Sequence, residues 1–203
     1  MAKGGKKRKK VAGAAPSRSR FGLKPWEAAF IGGAVILAGW LGWQWQQDQD
    51  VEAVFLELAR SGESALARVE TGQDAGRGHL APGQTISYPD RFPTSGVHNP
   101  RWIDPGVYET VQPPTKLVHS NEHGMVVIYY DSPPTDAMEM IEEWAGLYVG
   151  PWSGVVVTPA PGLGEEVVLT AWNRMLRLNP FEPAAAAAFI DRFRGRGPEN
   201  RVR

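Results

Sequence analysis

The 203-residue chain contains no cysteine, and that absence excludes two kinds of structure. Disulfide bonds cannot hold the protein together, so its stability must come from a packed core. Thiolate ligands are excluded too, which leaves imidazole, carboxylate, thioether and backbone oxygen for any metal ion. Histidine is also scarce, with four in the whole chain. A metal site would therefore have to be built from a small set of residues.

Charge is missing from a continuous run of small and apolar residues at positions 28–43. A helix that spans a bilayer needs about 20 mainly apolar residues, with a lower limit of about 17. Extended to residues 25–45, the run reaches that length and carries tryptophans at both ends, as is typical of membrane interfaces. We therefore predict that residues 25–45 form an uncleaved transmembrane anchor, a signal-anchor.

Acidic residues are absent from the first 24 positions, which hold nine of the 22 basic residues. The rest of the chain has 13 basic and 22 acidic residues, a net charge of −9. Because basic flanks remain in the cytoplasm, we predict a single-pass protein of the cell inner membrane with a cytoplasmic N-terminus and a periplasmic or extracellular C-terminal domain. Residues 1–24 are then a basic topology signal beside the lipid bilayer, and no nucleic-acid partner is expected.

The remaining pattern predicts one domain. Residues 46–70 have apolar side chains at helical spacing and are predicted as an amphipathic helix or linker. A loop-rich lead-in, dense in proline and glycine, covers residues 72–114. The predicted elements after it are strands at 124–131, 155–157 and 167–172 and helices after Pro134 and at 183–194. This β-α-β-β-α order predicts a small α/β (α+β) domain at 71–195, with helices on a mixed sheet, and a flexible tail at 196–203.

Three of the four histidines fall close together in the chain, just before the first predicted strand. His98 lies in a loop, whereas His119 and His123 are four residues apart and would share one face of a helical turn. If the strand began at His123, that residue would instead share a face with Met125. With the Met125 thioether the three imidazoles suit copper, and with Glu122 or water they suit zinc equally well.

The segment at 93–98 and the His119-to-Gly124 motif, followed by an apolar strand, resemble the bacterial family catalogued as domain of unknown function 3105. The resemblance covers about residues 83–193. It implies that His98, His119, Glu122 and His123 occupy the motif positions. It also implies one N-terminal membrane helix and an exported domain, but no particular reaction.

Together these observations predict a membrane-anchored, exported metal-binding protein, with copper as its ion and zinc or no ion as alternatives. We expect it to associate with a membrane or respiratory complex. Ala34, Ala38 and Gly42 form a stripe along the anchor that would let a helix of that complex approach closely. No acid–base residue has a defined companion, so binding is predicted rather than catalysis, and no catalytic residue is assigned.

Two other functions fit the same residues. In one, the protein is a non-catalytic structural accessory subunit of a membrane complex, and its histidines are ordinary hydrogen-bonded side chains. In the other, it is a zinc-dependent hydrolase. His119 and His123 then hold the ion and Glu122 acts as the base, since the spacing matches an inverted zinc-protease motif.

Overall fold

The computed structural model describes Met1 and residues 25–203, and for residues 25–33 and 35 it describes the backbone alone. The basic leader predicted for residues 1–24 lies, apart from Met1, outside the described residues. The chain divides into two units, Met1–Trp43 and Gln44–Arg203.

Helix α1 covers Pro25–Ser61 and includes the segment predicted as the anchor. Its large apolar side chains at Ile36, Leu37, Trp40 and Leu41 are each more than half exposed. In the part of the chain that the structure describes, no helix is long and apolar enough to cross a membrane.

The helix predicted for residues 46–70 is interrupted at Gly62. Helix α1 ends just before this glycine, whose backbone lies so close to that of Ala184 that a Cβ atom would overlap the Ala184 carbonyl. A 3-10 helix over Glu63–Arg68 and a short strand β1 at Glu70–Thr71 follow. Glycine is therefore required here by close packing between two backbones.

The remaining strands form a six-stranded mixed sheet with β1. They are β2 (Gly106–Val107), β3 (Val126–Tyr130), β4 (Val155–Pro159), β5 (Val167–Ala171) and β6 (Arg174–Leu178). The strand order is β1-β6-β5-β3-β4-β2. Strand β3 pairs in parallel with β4 and antiparallel with β5. The prediction of a small α/β domain with a mixed sheet is confirmed.

The other helices are α2 (Pro114–His123), α3 (Thr135–Leu147) and α4 (Pro183–Phe193). The predicted order of the later elements is correct but lacks β6. That strand returns beside β5 after a two-residue turn in which Asn173 adopts a left-handed conformation with φ of 58°. Asparagine tolerates this conformation better than most residues. Arg174 and Arg177 interrupt the apolar pattern of β6, and the sequence therefore did not predict this strand.

Side chains along the central strands point alternately to the two faces of the sheet, and they form a separate hydrophobic cluster on each face. Val126 and Ile128 of β3 belong to the cluster that contains Trp144 of α3 and Phe189 of α4. The intervening Val127 belongs to a second cluster, which contains side chains from α2 and from the loop-rich lead-in. Because neighbouring side chains on a strand point to opposite faces, α2 and the lead-in lie across the sheet from α3 and α4. The histidine-containing segments therefore meet on one face.

Candidate metal centre

Helix α2 positions the central residues of the site. Proline at its first position fits the helix start, and Gly124 ends it in a left-handed conformation with φ of 99°. His119, Glu122 and His123 lie three and four residues apart, so they share one face of this helix. The helical alternative is confirmed. The strand alternative, with His123 and Met125 on one face, is wrong because His123 is the last residue of the helix and β3 begins at Val126.

Two loop segments bring His98 to this helix together with a residue that the sequence analysis left out, His79. His79 and His98 form an isolated parallel bridge. The amide of His98 donates to the Gly78 carbonyl at 2.9 Å, and the amide of Leu80 donates to the His98 carbonyl at 2.7 Å. The ring centroids of His79 and His119 lie 5.0 Å apart. All four histidines of the chain are therefore neighbours.

The side chains form two overlapping groups in which the ligand atoms lie within 4.8 Å of one another. The inner set is His79, His98, His119 and Glu122. The outer set is His119, His123 and Glu199. Apart from the exposed His79 and Glu199, all of these side chains are buried. The structure thus brings four of the five predicted ligands together and adds two.

Hydrogen bonds to backbone carbonyls fix the orientation of the three buried imidazoles. The Nδ1 atoms of His98, His119 and His123 lie 2.7, 2.7 and 3.3 Å from the carbonyl oxygens of Gly96, Asn99 and Pro151. A carbonyl can only accept, so each Nδ1 carries the hydrogen and donates it. In the neutral imidazole the lone pair is then on Nε2, the arrangement commonly found in histidines that bind metals.

In the inner set, two buried hydrogen-bond acceptors face each other, Nε2 of His98 and the carboxylate of Glu122. The Nε2 atom of His98 has no hydrogen-bond partner among the described residues and lies 3.0 Å from Oε2 of Glu122. Burial lowers the pKa of His98 and raises that of Glu122, because a charged form of either would be poorly solvated. A neutral imidazole and a carboxylate at this distance require a proton or a metal cation between them.

The outer set depends on the C-terminal segment. Oε2 of Glu199 lies 3.2 Å from Nε2 of His123 and 3.9 Å from Nε2 of His119. Burial lowers the pKa of both histidines, which favours the neutral form that a metal ion needs. Glu199 therefore adds a carboxylate to the imidazoles of His119 and His123, and these three side chains form the outer set at the surface of the centre.

Glu199 comes from the segment predicted as a flexible tail, residues 196–203. In the structure this segment returns to the end of α2. The amide of Gly195 donates to the Gly124 carbonyl at 2.8 Å, and that of Glu199 donates to the Glu122 carbonyl at 3.3 Å. A Cβ atom on Gly197 would overlap the Glu122 carbonyl, so glycine allows this approach.

His119 links the two sets but can serve only one ion at a time. Its Nδ1 is occupied by the Asn99 carbonyl, and Nε2 is its single free ligand atom. The inner and outer sets could therefore hold one ion between them, rather than one ion each.

Met125 is fully buried and belongs to the hydrophobic cluster that contains Leu117 and Val127. That environment gives its side chain a packing role in the core. A thioether contribution to the centre stays a prediction.

The family described as "Protein of unknown function (DUF3105)" matches residues 79–203. The chain belongs to this family. No curated protein and no solved structure matches the chain. The resemblance predicted from the sequence is confirmed, and the DUF3105 match is longer at both ends than predicted. It begins at His79 and extends past Glu199, so it includes both ligand candidates that sequence reasoning missed.

Proposed function

We propose that this protein binds one metal ion in the inner set, with Cu²⁺ as the preferred ion and Zn²⁺ as the alternative. The observation that carries the proposal is the buried Nε2 lone pair of His98 opposite the Glu122 carboxylate, 3.0 Å away. A divalent cation at this position would satisfy both groups and also accept Nε2 of His119.

The donor chemistry supports the choice of ion. Imidazole nitrogen and carboxylate oxygen suit Cu²⁺ and Zn²⁺, whereas Cu⁺ prefers the sulfur ligands that this chain lacks as cysteine. For one site of nitrogen and oxygen donors, Cu²⁺ binds more tightly than Zn²⁺. The inner set therefore favours copper when both ions are supplied at equal concentration.

We infer that the ion is held rather than used in turnover. The inner set supplies four protein ligands, the number that closes a tetrahedral site, whereas catalytic zinc sites keep a position for water. Glu122, the base of a hydrolase in the alternative function, faces His98 as a ligand candidate. Binding is thus the function that this geometry supports best.

We also propose that the domain is exported and tethered to a membrane. The charge-free run at 28–43 and the basic leader before it support a membrane anchor with an exported C-terminal domain. The lipid bilayer is then one partner and a membrane or respiratory complex another. Ala34, Ala38 and Gly42 are exposed, which leaves their stripe available for a partner helix.

One observation favours the zinc hydrolase as a second candidate. The hydrolase motif requires a carboxylate ligand downstream of His119 and His123. Glu199 is downstream of both, and its carboxylate lies 3.2 Å from Nε2 of His123. An ion held by these three residues would keep a position for water. The structural accessory subunit is the third candidate, in which a proton rather than an ion joins His98 and Glu122.

The deciding experiment is elemental analysis of the full chain, purified in detergent without chelators. We expect about one copper or zinc ion per chain, lost in the Glu122→Gln variant and kept in Glu139→Gln, which changes an exposed carboxylate on α3. Wild-type protein that folds without metal, and takes up none when Cu²⁺ or Zn²⁺ is supplied, would support the accessory subunit. Zinc retained in Glu122→Gln with loss of a peptidase activity would support the hydrolase.

A further inference from the structure

A cavity beside the C-terminal segment differs in chemical character from the metal centre. It has a volume of about 480 Å³ and is lined by four arginines, Arg174, Arg192, Arg196 and Arg201, together with the aromatic rings of Trp172 and Phe193. We propose that this cavity, which we call the arginine pocket, binds the phosphate group of an anionic organic ligand. The proposal concerns residues outside the metal centre and does not depend on the metal.

Unneutralised charge is the first argument. Among the described residues, none of the four guanidinium groups forms an ion pair, whereas Arg177 and Arg203 pair with Glu166 and Asp191. Four like charges around one cavity repel each other and produce a strong local potential that attracts an anion. The arrangement is therefore favourable when a negatively charged group is bound.

The hydrogen bonds inside the pocket orient two of the arginines without neutralising them. Nη1 of Arg174 donates to the Asn173 carbonyl at 2.9 Å, and Nη1 of Arg196 donates to the Arg192 carbonyl. Both acceptors are neutral, so the positive charge remains. The other guanidinium N–H groups stay available for a ligand, because each guanidinium has five donors.

The nearest acidic side chain along the C-terminal segment does not compensate this charge. Glu199 follows Pro198 of the pocket, but its carboxylate lies 3.2 Å from Nε2 of His123 in the outer set. Asp191, which precedes Arg192, is bonded to Arg203 at 2.8 Å. The two carboxylates adjacent in sequence are therefore already engaged elsewhere.

The shape of the pocket specifies the ligand further. Guanidinium groups bind phosphate through paired N–H donors, which is why arginine is common in phosphate sites. A volume of about 480 Å³ is within the range of small-molecule sites and exceeds what one phosphate group fills. Trp172 and Phe193 offer apolar walls for the rest of the molecule. The ligand class is thus a phosphate ester, either a soluble one or the headgroup of an anionic phospholipid.

The test uses the full chain in uncharged detergent micelles, with sn-glycerol 3-phosphate as the soluble probe and calorimetry as the readout. The double variant Arg174→Gln/Arg201→Gln removes two guanidinium groups of the pocket. Arg177→Gln is the matched control, because Arg177 lies on the same strand as Arg174 but is paired with Glu166. We expect at least about tenfold weaker binding in the double variant and wild-type affinity in the control, since a charge-assisted hydrogen bond contributes at least that factor.

A second titration distinguishes the sources of the phosphate. Phosphatidylglycerol or, as the zwitterionic control, phosphatidylcholine is added to the micelles. Binding of glycerol 3-phosphate that depends on Arg174 and Arg201 indicates a soluble ester. Binding of phosphatidylglycerol alone, with the same dependence, indicates a lipid headgroup.

Two results would overturn the proposal. One is that wild-type protein binds neither probe. The other is that Arg177→Gln weakens binding as much as the double variant, which would indicate general attraction by surface charge. Should the double variant fail to fold, Arg201→Gln alone replaces it, because Arg201 is exposed in the terminal segment.

Discussion

The Nε2 atom of His98 lies 3.0 Å from the Oε2 atom of Glu122, and both side chains are buried. The other ring nitrogen of His98 is bonded to the Gly96 carbonyl at 2.7 Å. The imidazole therefore presents a lone pair to a carboxylate in a buried position. A cation or a proton must join the two groups, and this requirement leads to the first prediction.

We expect Glu122→Gln to change metal affinity and stability in opposite directions. Loss of the carboxylate should weaken metal binding by about 100-fold or more, since even a residue that only hydrogen-bonds to a metal ligand contributes about 10- to 100-fold. The Gln amide can donate to Nε2 of His98, so the metal-free variant should be as stable as the wild type or more so. Competition with a chelator of known affinity and urea unfolding measure the two effects. Equal metal affinity in both proteins would contradict the assignment of Glu122 as a ligand.

The two ligand sets can be separated with Glu199→Gln. This change removes the carboxylate of the outer set and leaves the inner set intact. If the ion is held by the inner set, affinity should fall less than in Glu122→Gln, by no more than about 10- to 100-fold, because Glu199 then acts only through its neighbours. The same competition assay gives the result. A larger loss in Glu199→Gln than in Glu122→Gln would assign the ion to the outer set.

Metal-free protein should lose stability as the pH falls below the ordinary histidine pKa of 6.5. Burial lowers the pKa of His98, His119 and His123 in the folded state, so the unfolded chain takes up protons first. Stability then rises with pH across this window, because it rises wherever the unfolded state binds more protons. Glu122 opposes the trend, since its raised pKa lets the folded state bind a proton first.

Urea unfolding of the metal-free full chain between about pH 5 and pH 8 measures the slope, because unperturbed histidines titrate within this range. Three histidines outweigh one carboxyl group, so the midpoint should increase with pH. A midpoint that is highest at the acidic end would mean that the imidazoles are protonated in the folded state, as in a buried ion pair with Glu122.

Gly197→Ala tests the return of the C-terminal segment to α2. The new methyl group would overlap the Glu122 carbonyl and the Gly124 amide, so the segment must move away. We expect a loss of about 1–3 kcal/mol in the free energy of unfolding, the usual cost of overpacking. The matched control is Gly146→Ala on α3, where a Cβ atom would have open space. Only Gly197→Ala should lower the midpoint of thermal unfolding below that of the wild type, because alanine is favoured over glycine within a helix such as α3. An unchanged midpoint in Gly197→Ala would show that the segment does not pack as described.

The proposed anchor gives a prediction about extraction. Because a spanning segment is held by the hydrocarbon core, the protein should stay with the membrane fraction in carbonate and be released by detergent. Protease added to intact spheroplasts should degrade the C-terminal domain and spare the basic leader. Release by carbonate would show peripheral attachment, and protection of the domain would reverse the orientation.

Local patterns determined those parts of the structure that depend on neighbours in the chain. The buried strand β3 follows from a short, continuous run of β-branched and aromatic residues, Val126–Tyr130. The spacing of His119, Glu122 and His123 placed them on one face as soon as that segment was helical. The position of β6 was missed, because Arg174 and Arg177 lie three residues apart and break the period of two that marks a strand.

The rest of the site depends on contacts between distant segments. His79 reaches His98 through backbone pairing of two loops, and no periodicity in either loop predicts that pairing. Glu199 reaches His123 because Gly197 and Gly124 let the C-terminal backbone approach the end of α2. A search for clustered histidines could have included His79 by its scarcity alone, whereas Glu199 carried no signal among 22 acidic residues.

The sequence by itself determined the strands β3, β4 and β5, the residue types available to a metal ion and the helical face that carries three of them. Each follows from composition or from a repeat of two or 3.6 residues, and both are local properties. Only the tertiary structure decided which further residues complete the centre, that His119 has one free nitrogen, and that four arginines surround a neighbouring cavity. These relationships depend on where the path of the chain brings remote backbone segments together, and that path is set by packing across the whole domain.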